Sequence, residues 1–556
     1  MSNVLPHYEV HGRQANAWTV QRVCDDKKSA IESAENLLKE LSLKAVKVLE
    51  VSCNGDDPVF HDKEIFYDGE KIAASNVPAV DLIKPVCQKI SDFYLPEARR
   101  AIATLLRKPM GGWKITPLEL LYHAEHLQKL NDTGQILQGA VQRVAVSQIQ
   151  KTGQKVNQRV LDLYKLTGEI LQELKVQRHG NDFLELENED LSELLQKAKL
   201  TEAPNVAFIA AFCRYLKDVP SLEHKFEKIL DLLDCNDDPE IILYLDQFLG
   251  DFFVFSENIK QLVGESDNLG EGVLRLIDLI RGTVTLTADS HKALGRVNEL
   301  IGSKLLPETQ KSLVLKVKST LNGNASFVKG QPFQSIMYHK RILSRLSLNG
   351  EKYIGGQECV DALTERCTRM TGSASIEEFL SGLDHPLDRI ERFLELTKGM
   401  VGDVNMRTIA NYILPILESS YNVTMIVEEA TDDLATLKKM SILQQKLRQS
   451  ELQFFFQQRI AEHLDQIGME IFTRKNVEDQ LEERSDDKLQ LGFTLLHMVS
   501  EGAVPRPHVM DTVRVFAKRT IMSADFMGEL ETKAKGGNAD LLKEFYLLLK
   551  NTRLDK

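Results

Sequence analysis

The residues best placed for chemistry lie in ELLYHAEH (119–126), where Glu119, His123 and His126 follow one another at steps of four and three. On an unbroken helix all three would project from one side, and a carboxylate with two imidazole nitrogens can hold a transition metal. The stretch is not H-E-x-x-H, and no second carboxylate-histidine motif completes a di-iron arrangement. Thirteen histidines in a helical chain produce such pairs readily. Surface or capped histidines are therefore the expectation, with no metal and no cofactor.

Other motifs fail on a required residue. DCNDDPEIILYL (234–245) sets Asp234, Asn236 and Asp238 at alternate positions like a calcium loop, but Pro239 replaces the turn glycine and Leu245 the bidentate glutamate. GEGVLR (270–275) lacks a third glycine and a preceding strand, and no Gly-Lys-Ser or Gly-Lys-Thr occurs. There is no G-x-S-x-G elbow, and GSAS (372–375) reads as a helix-capping loop. No catalytic residue emerges from local pattern.

Composition narrows the class. The 556 residues are 43% hydrophobic and 27% charged, as in a globular chain of several domains. A formal net charge of -12 sets the mean field against nucleic acid and anionic membrane surfaces. The basic stretches 337–345 and 513–520 are short and interleaved with apolar residues, as on solvated helix faces. Seven cysteines without a C-x-x-C pair suit free thiols in a reducing cytosol. No apolar run reaches the ~18 residues of a membrane span, and the start lacks the pattern of a signal peptide. The expectation is a cytoplasmic protein, with no nucleic acid or membrane partner.

The elements that would position any site divide in two. In YEVHGRQANAWTVQRV (8–23), Tyr8 and Val10, then Trp18 and Val20, alternate like the buried face of two strands. Asp25 and Asp26 offer an N-cap to a helix carrying Ala30, Ala34, Leu37, Leu38 and Leu41 on one face. KAVKVLEV (44–51) and EIFYDG (64–69) supply two further strands. This makes a small α+β (ββαββ) module at 1–72, with a sheet face and an edge left to dock. The pattern from Trp18 and Val20 through Asp25-Asp26 and the alanine-bearing helix to VKVLEV resembles a short module that opens uncharacterised, mostly helical bacterial proteins. The resemblance covers residues 1–70 and implies an architecture without any assigned function.

From Val77 onward the patterns are helical, punctuated by Pro, Gly, Asn and Asp, so the fold expected is mainly α: a multi-helix bundle or irregular helical-repeat body behind the module. Composition shifts at 69–80, 200–204 and 321–332 divide it into a region 77–200 with a long hairpin, a region 204–325 and a C-terminal domain 330–556. Val156, Val160, Leu163, Thr167, Ile170 and Leu174 form a heptad-like seam, whose upstream register turns polar at Gln148, Lys151 and Lys155. A helical hairpin broken near Gly153 fits better than one rod, and the seam could close within one chain or in a homo-oligomer. A second long stretch, Leu437 to Ile467, has bundle-like spacing and contains Phe454, Phe455 and Phe456. Three consecutive rings span about 200° of a helix, so enclosure on several sides is expected, or else one ring lies in a partner-binding patch.

Together these features point to a non-enzymatic protein-protein interaction or regulatory scaffold protein, in keeping with bacterial signalling. Trp18, Phe454, Phe455 and Phe456 are its candidate partner-binding residues. The alternative is a small-ligand or metal-dependent helical-bundle enzyme or receptor, whose site is assembled from separate helices and leaves no local motif.

Overall fold

The structure, a computed structural model, describes residues 7–14, 17–40, 43, 45–53, 60–69, 85–179, 183–286, 292–350, 352–428, 432–535 and 539–554. The linker expected at 69–80 lies outside these except for Gly69. The alternating stretches form strands β1 (His7–Gln14) and β2 (Ala17–Cys24), followed by helix α1 (Lys27–Glu40) and strands β3 (Ala45–Cys53) and β4 (Phe60–Gly69). Asp26 starts α1 by accepting the Ser29 N–H at 2.9 Å. The sheet runs β2-β1-β3-β4 with every neighbour antiparallel. Ala30 and Ala34 bring α1 down onto Val10, Val46 and Val48, because short side chains allow helix and sheet to approach closely. The sheet stays open, and β2 lies against the helix Gln135–Thr152.

Beyond it every described element is a helix apart from one isolated bridge, Ser347 with Tyr353, so the chain is a mainly α body led by a small open ββαββ module, with 28 α-helices among the described residues. None of the described helices is long and apolar enough to cross a membrane. Two compact units result, one of Met1–Glu265 with Arg275–Gly323, the other of Ser266–Leu274 with Asn324–Lys556.

In the first unit the hairpin forms as two helices, Gln135–Thr152 and Val156–His179, because Gly153 takes the left-handed φ of 65° that reverses the chain. Beside helices with local caps such as Ser221 and Asp238, some helix starts in this unit are satisfied by carboxylates from elsewhere in the chain. Asp246 accepts the N–H of Glu308 at 2.6 Å and of Thr309 at 2.9 Å, opening the helix Pro307–Asn322, whose own N-cap is Leu306. Burial pushes the Asp246 carboxyl up to about 6, against the pull of those hydrogen bonds.

The second unit repeats the device: Asp465 accepts from His508 N at 2.9 Å and Val509 N at 3.1 Å, where the N-cap of the helix His508–Ile521 is Pro507. Its last helices close over Leu489, Leu496, Phe526, Leu530 and Phe545. Gly492 is required there, since a Cβ would stand 2.2 Å from the Phe526 ring. The long stretch Leu437 to Ile467 is not continuous. It splits into Asp433–Gln449 and Phe454–Arg474, because Gln457 Nε2 donates to the carbonyls of Ser450 and Leu452 and holds the connection in a turn.

His339, 1% exposed, donates from Nδ1 to the carbonyls of Ser335 and Ile336, both at 3.1 Å. Burial, and after it the nearby Arg366, pulls the imidazole from its ordinary 6.5 down to about 4. The folded chain thus keeps this ring neutral where the unfolded chain protonates it. Its contribution to stability is complete above pH 6.5 and disappears as pH falls to about 4, amounting to about 3 kcal/mol. Urea unfolding at pH 7 and pH 4 should show a loss smaller by about that amount in His339→Gln; equal losses in variant and parent would contradict the assignment.

Candidate functional site

Around ELLYHAEH the local sequence dictates a different geometry from the one a metal would need. Thr116 and Glu119 form a reciprocal capping box, Thr116 N donating to Glu119 Oε2 at 2.9 Å and Glu119 N to Thr116 Oγ1 at 3.3 Å. The glutamate is thereby folded back toward the helix start. Its Oε1 meets the ammonium of Lys225, which also donates to Lys114 O at 2.8 Å, and both side chains are buried. The helix Pro117–Tyr122 ends at once, because His123 is extended and starts a second helix, Ala124–Asp132.

His123 and His126 therefore do not share a helix face with Glu119. Their rings lie 4.4 Å apart, with His123 buried and His126 half-buried, so neither is a surface histidine. Burial and then His123 pull His126 down to about 4. Among the described residues no three histidine, cysteine, aspartate or glutamate side chains converge to hold a metal.

A second buried ion pair, between the helices Pro96–Leu105 and Pro239–Phe252, braces the same short helix. Arg99 Nε meets Asp251 Oδ1 at 2.8 Å, and Asp251 Oδ2 accepts the Leu118 N–H at 2.9 Å. Burial raises the carboxyls of Glu119 and Asp251, and their cations oppose it. These groups consume one another's charge.

The charges that remain for a ligand lie where the seam turned polar. An open cleft of about 700 Å³ is lined by Lys89, Lys151, Arg159, Asp162, Lys165 and Glu169 among others, between the 88–91 segment and the two hairpin helices. Arg159 is 2% exposed, and its acceptors are neutral: Gln148 Oε1, at 3.1 Å from Nε and 2.7 Å from Nη2, and Cys87 O at 2.8 Å from Nη2. Among the described residues no acceptor meets Nη1. Asp162 is held by the amides of Gln154 and Gln158 at 2.9 and 3.0 Å. Lys89 and Lys151 are without an ion pair among the described residues, and burial lowers the Arg159 pKa. Behind this bridge lies an apolar cavity of about 100 Å³, lined by Phe93, Ile102, Leu121, Val141, Leu163 and Ile170 among others. Gln148 and Cys87 line that cavity while Arg159 lines the cleft, so their hydrogen bonds form the partition.

The aromatic candidates are placed differently. Trp18 lies on β2, and its side chain is outside the described residues. Phe454 and Phe455 are 71% and 64% exposed, so the expected enclosure does not hold at this end of the helix. Phe456 is half-buried and meets the Phe455 ring edge-on at 5.6 Å. Only the helix from Ile460 onward faces the core. Sequence reasoning missed Arg159. The available signal was the polar run Gln148, Lys151 and Lys155 in the seam register, which marks where the hairpin helices stop sealing against each other.

Compared with known proteins, the chain matches no family model, no curated protein and no solved structure.

The Glu119–Lys225 pair also carries a stability prediction. Removing one partner leaves a buried charge unanswered, so Lys225→Ala should lose about 3–5 kcal/mol in urea unfolding. Replacing both partners, as Glu119→Leu with Lys225→Met, should recover most of that loss. A double variant as unstable as the single one would show that the pair is not acting as a unit.

Proposed function

We propose that this chain is a binding protein whose first unit takes up a small polar anion, of the carboxylate class, in the cleft at Arg159. The observation that carries the reading is the buried guanidinium, whose hydrogen-bond acceptors are all neutral, on the wall of a cleft bordered by Lys89 and Lys151, which form no ion pair among the described residues. A buried cation that Asp162 attracts without hydrogen-bonding is still unfavourable, and an anion beside the guanidinium relieves it while leaving the partition to Gln148 and Cys87 intact. The cleft volume lies within the range of small-molecule sites. Asp162 and Glu169 on the same wall favour a ligand that also carries hydrogen-bond donors. The free thiols of the described cysteines support a reducing compartment such as the cytoplasm.

Calorimetric titration of the full chain with glutamate and with citrate tests this. At least one should bind saturably, about tenfold or more weakly in Arg159→Gln, with a smaller loss in Lys151→Ala on the exposed rim. Binding by neither, or binding indifferent to both substitutions, would remove the cleft from the function.

The exposure of Phe454 and Phe455 favours a second reading, a protein-partner scaffold docking through that helix end. Converting both to serine touches little of the core, so stability should stay within about 0.5 kcal/mol while association with a co-purifying partner is lost. Association unchanged in the double variant would exclude this face.

A further inference from the structure

The cavity behind the Arg159 partition is a space of a different kind from the cleft. Ala98 and Ile102 line it from the helix Pro96–Leu105, Leu121 from Pro117–Tyr122, Val141 from Gln135–Thr152, and Leu163 and Ile170 from Val156–His179. The polar groups on its wall are already engaged. Gln148 spends Oε1 on Arg159 and donates from Nε2 to Pro85 O at 3.0 Å. Thr167 donates from Oγ1 to the carbonyls of Leu163 and Tyr164, at 3.1 and 2.9 Å. Burial pushes the Cys87 thiol up to about 11, so it lines the wall uncharged.

Water held in such a space needs about two to four hydrogen-bond partners, which these walls do not offer. Left empty, the lining atoms lose the dispersion contacts that a packed interior supplies. Collapse of the walls would recover those contacts, but polar bridges fix their spacing. Arg159, Gln148 and the carbonyls of Pro85 and Cys87 tie the two hairpin helices to the segment before Phe93. Asp251 takes both the Arg99 guanidinium and the Leu118 N–H, which fixes Pro96–Leu105 against Pro117–Tyr122.

We infer that this cavity is a binding site for a compact uncharged hydrocarbon the size of a benzene ring. Its volume of about 100 Å³ is of the order of the ~150 Å³ apolar cavity that takes up benzene. Each carbon of such a ligand leaves water and gains contact with the aliphatic wall, to which Phe93 adds an aromatic ring. The site takes no charge, and it stands whether or not an anion binds at Arg159.

Calorimetric titration of the full chain with benzene tests the site. Saturable binding is expected. Phenol, of nearly the same size, should bind about tenfold or more weakly, because its hydroxyl loses water and meets a wall whose polar groups are engaged. Ala98→Leu and Ala140→Leu extend into the space from two different helices, and each should weaken benzene about tenfold or more. Without ligand both should unfold no earlier than the parent, since the added carbons occupy a void, which separates lost binding from lost structure. Ile170→Val enlarges the space and should keep or gain affinity, so loosening of the core reads differently from filling. Lys151→Ala, on the rim of the cleft, should bind benzene as the parent does. Absence of saturable binding, equal affinity for phenol, or parental affinity in both leucine variants would overturn the assignment.

Discussion

Buried aspartates that cap helices from outside are the constraint on which the helical body rests. A helix start leaves N–H groups that cannot be buried without acceptors. Among the described residues, three starts are closed by a buried aspartate from another helix: Asp246 at Glu308 and Thr309, Asp251 at Leu118, and Asp465 at His508 and Val509. Each acts between elements tens of residues or more apart, so it fixes where one helix begins relative to the flank of another. Apolar packing alone tolerates sliding along a ridge, whereas a carboxylate on two backbone donors does not.

The same economy of charge separates structural groups from candidate functional ones. Glu119 with Lys225, and Arg99 with Asp251, are matched within the core and satisfied further by backbone groups. Matched pairs rigidify the helices around them and leave little for a ligand. Arg159 is equally buried but has amide and carbonyl partners only, and Lys316 is half-buried with the Ser256 hydroxyl as its one hydrogen-bond partner among the described residues. Lys316 lies on a helix packed against the one that carries Asp251, and Arg159 on a hairpin helix packed against Gln135–Thr152, so both are held by the fold before any ligand arrives.

Much of the fold was legible in sequence because it rests on short-range periodicity and caps. The alternation at Tyr8 and Val10, the Asp26 cap and the alanine face of α1 all operate within a few residues of one another, and they yield the strands and helix found. The Thr116-Pro117-Glu119 start and the reversal at Gly153 are likewise local. Where two local rules compete, the pattern misleads. The bundle-like spacing from Leu437 to Ile467 read as one long stretch, but Gln457 binding back to Ser450 and Leu452 ends it. The helical spacing of Glu119, His123 and His126 suggested one face, yet the capping box draws Glu119 away and His123 breaks the helix.

The candidate sites were hardly legible, since one is defined by a charge that lacks a charged acceptor and the other by space that packing leaves open. That Arg159 faces Gln148 rather than a carboxylate depends on how the hairpin closes, and that a cavity remains beside it depends on helices distant in the chain. Sequence by itself determined the class of element at nearly every stretch, the acidic balance and the division into a sheet-bearing front and a helical body. Tertiary structure alone decided which buried charges neutralise one another and which stay open to a ligand, because Coulomb attraction and hydrogen bonding act through space and take no account of order along the chain.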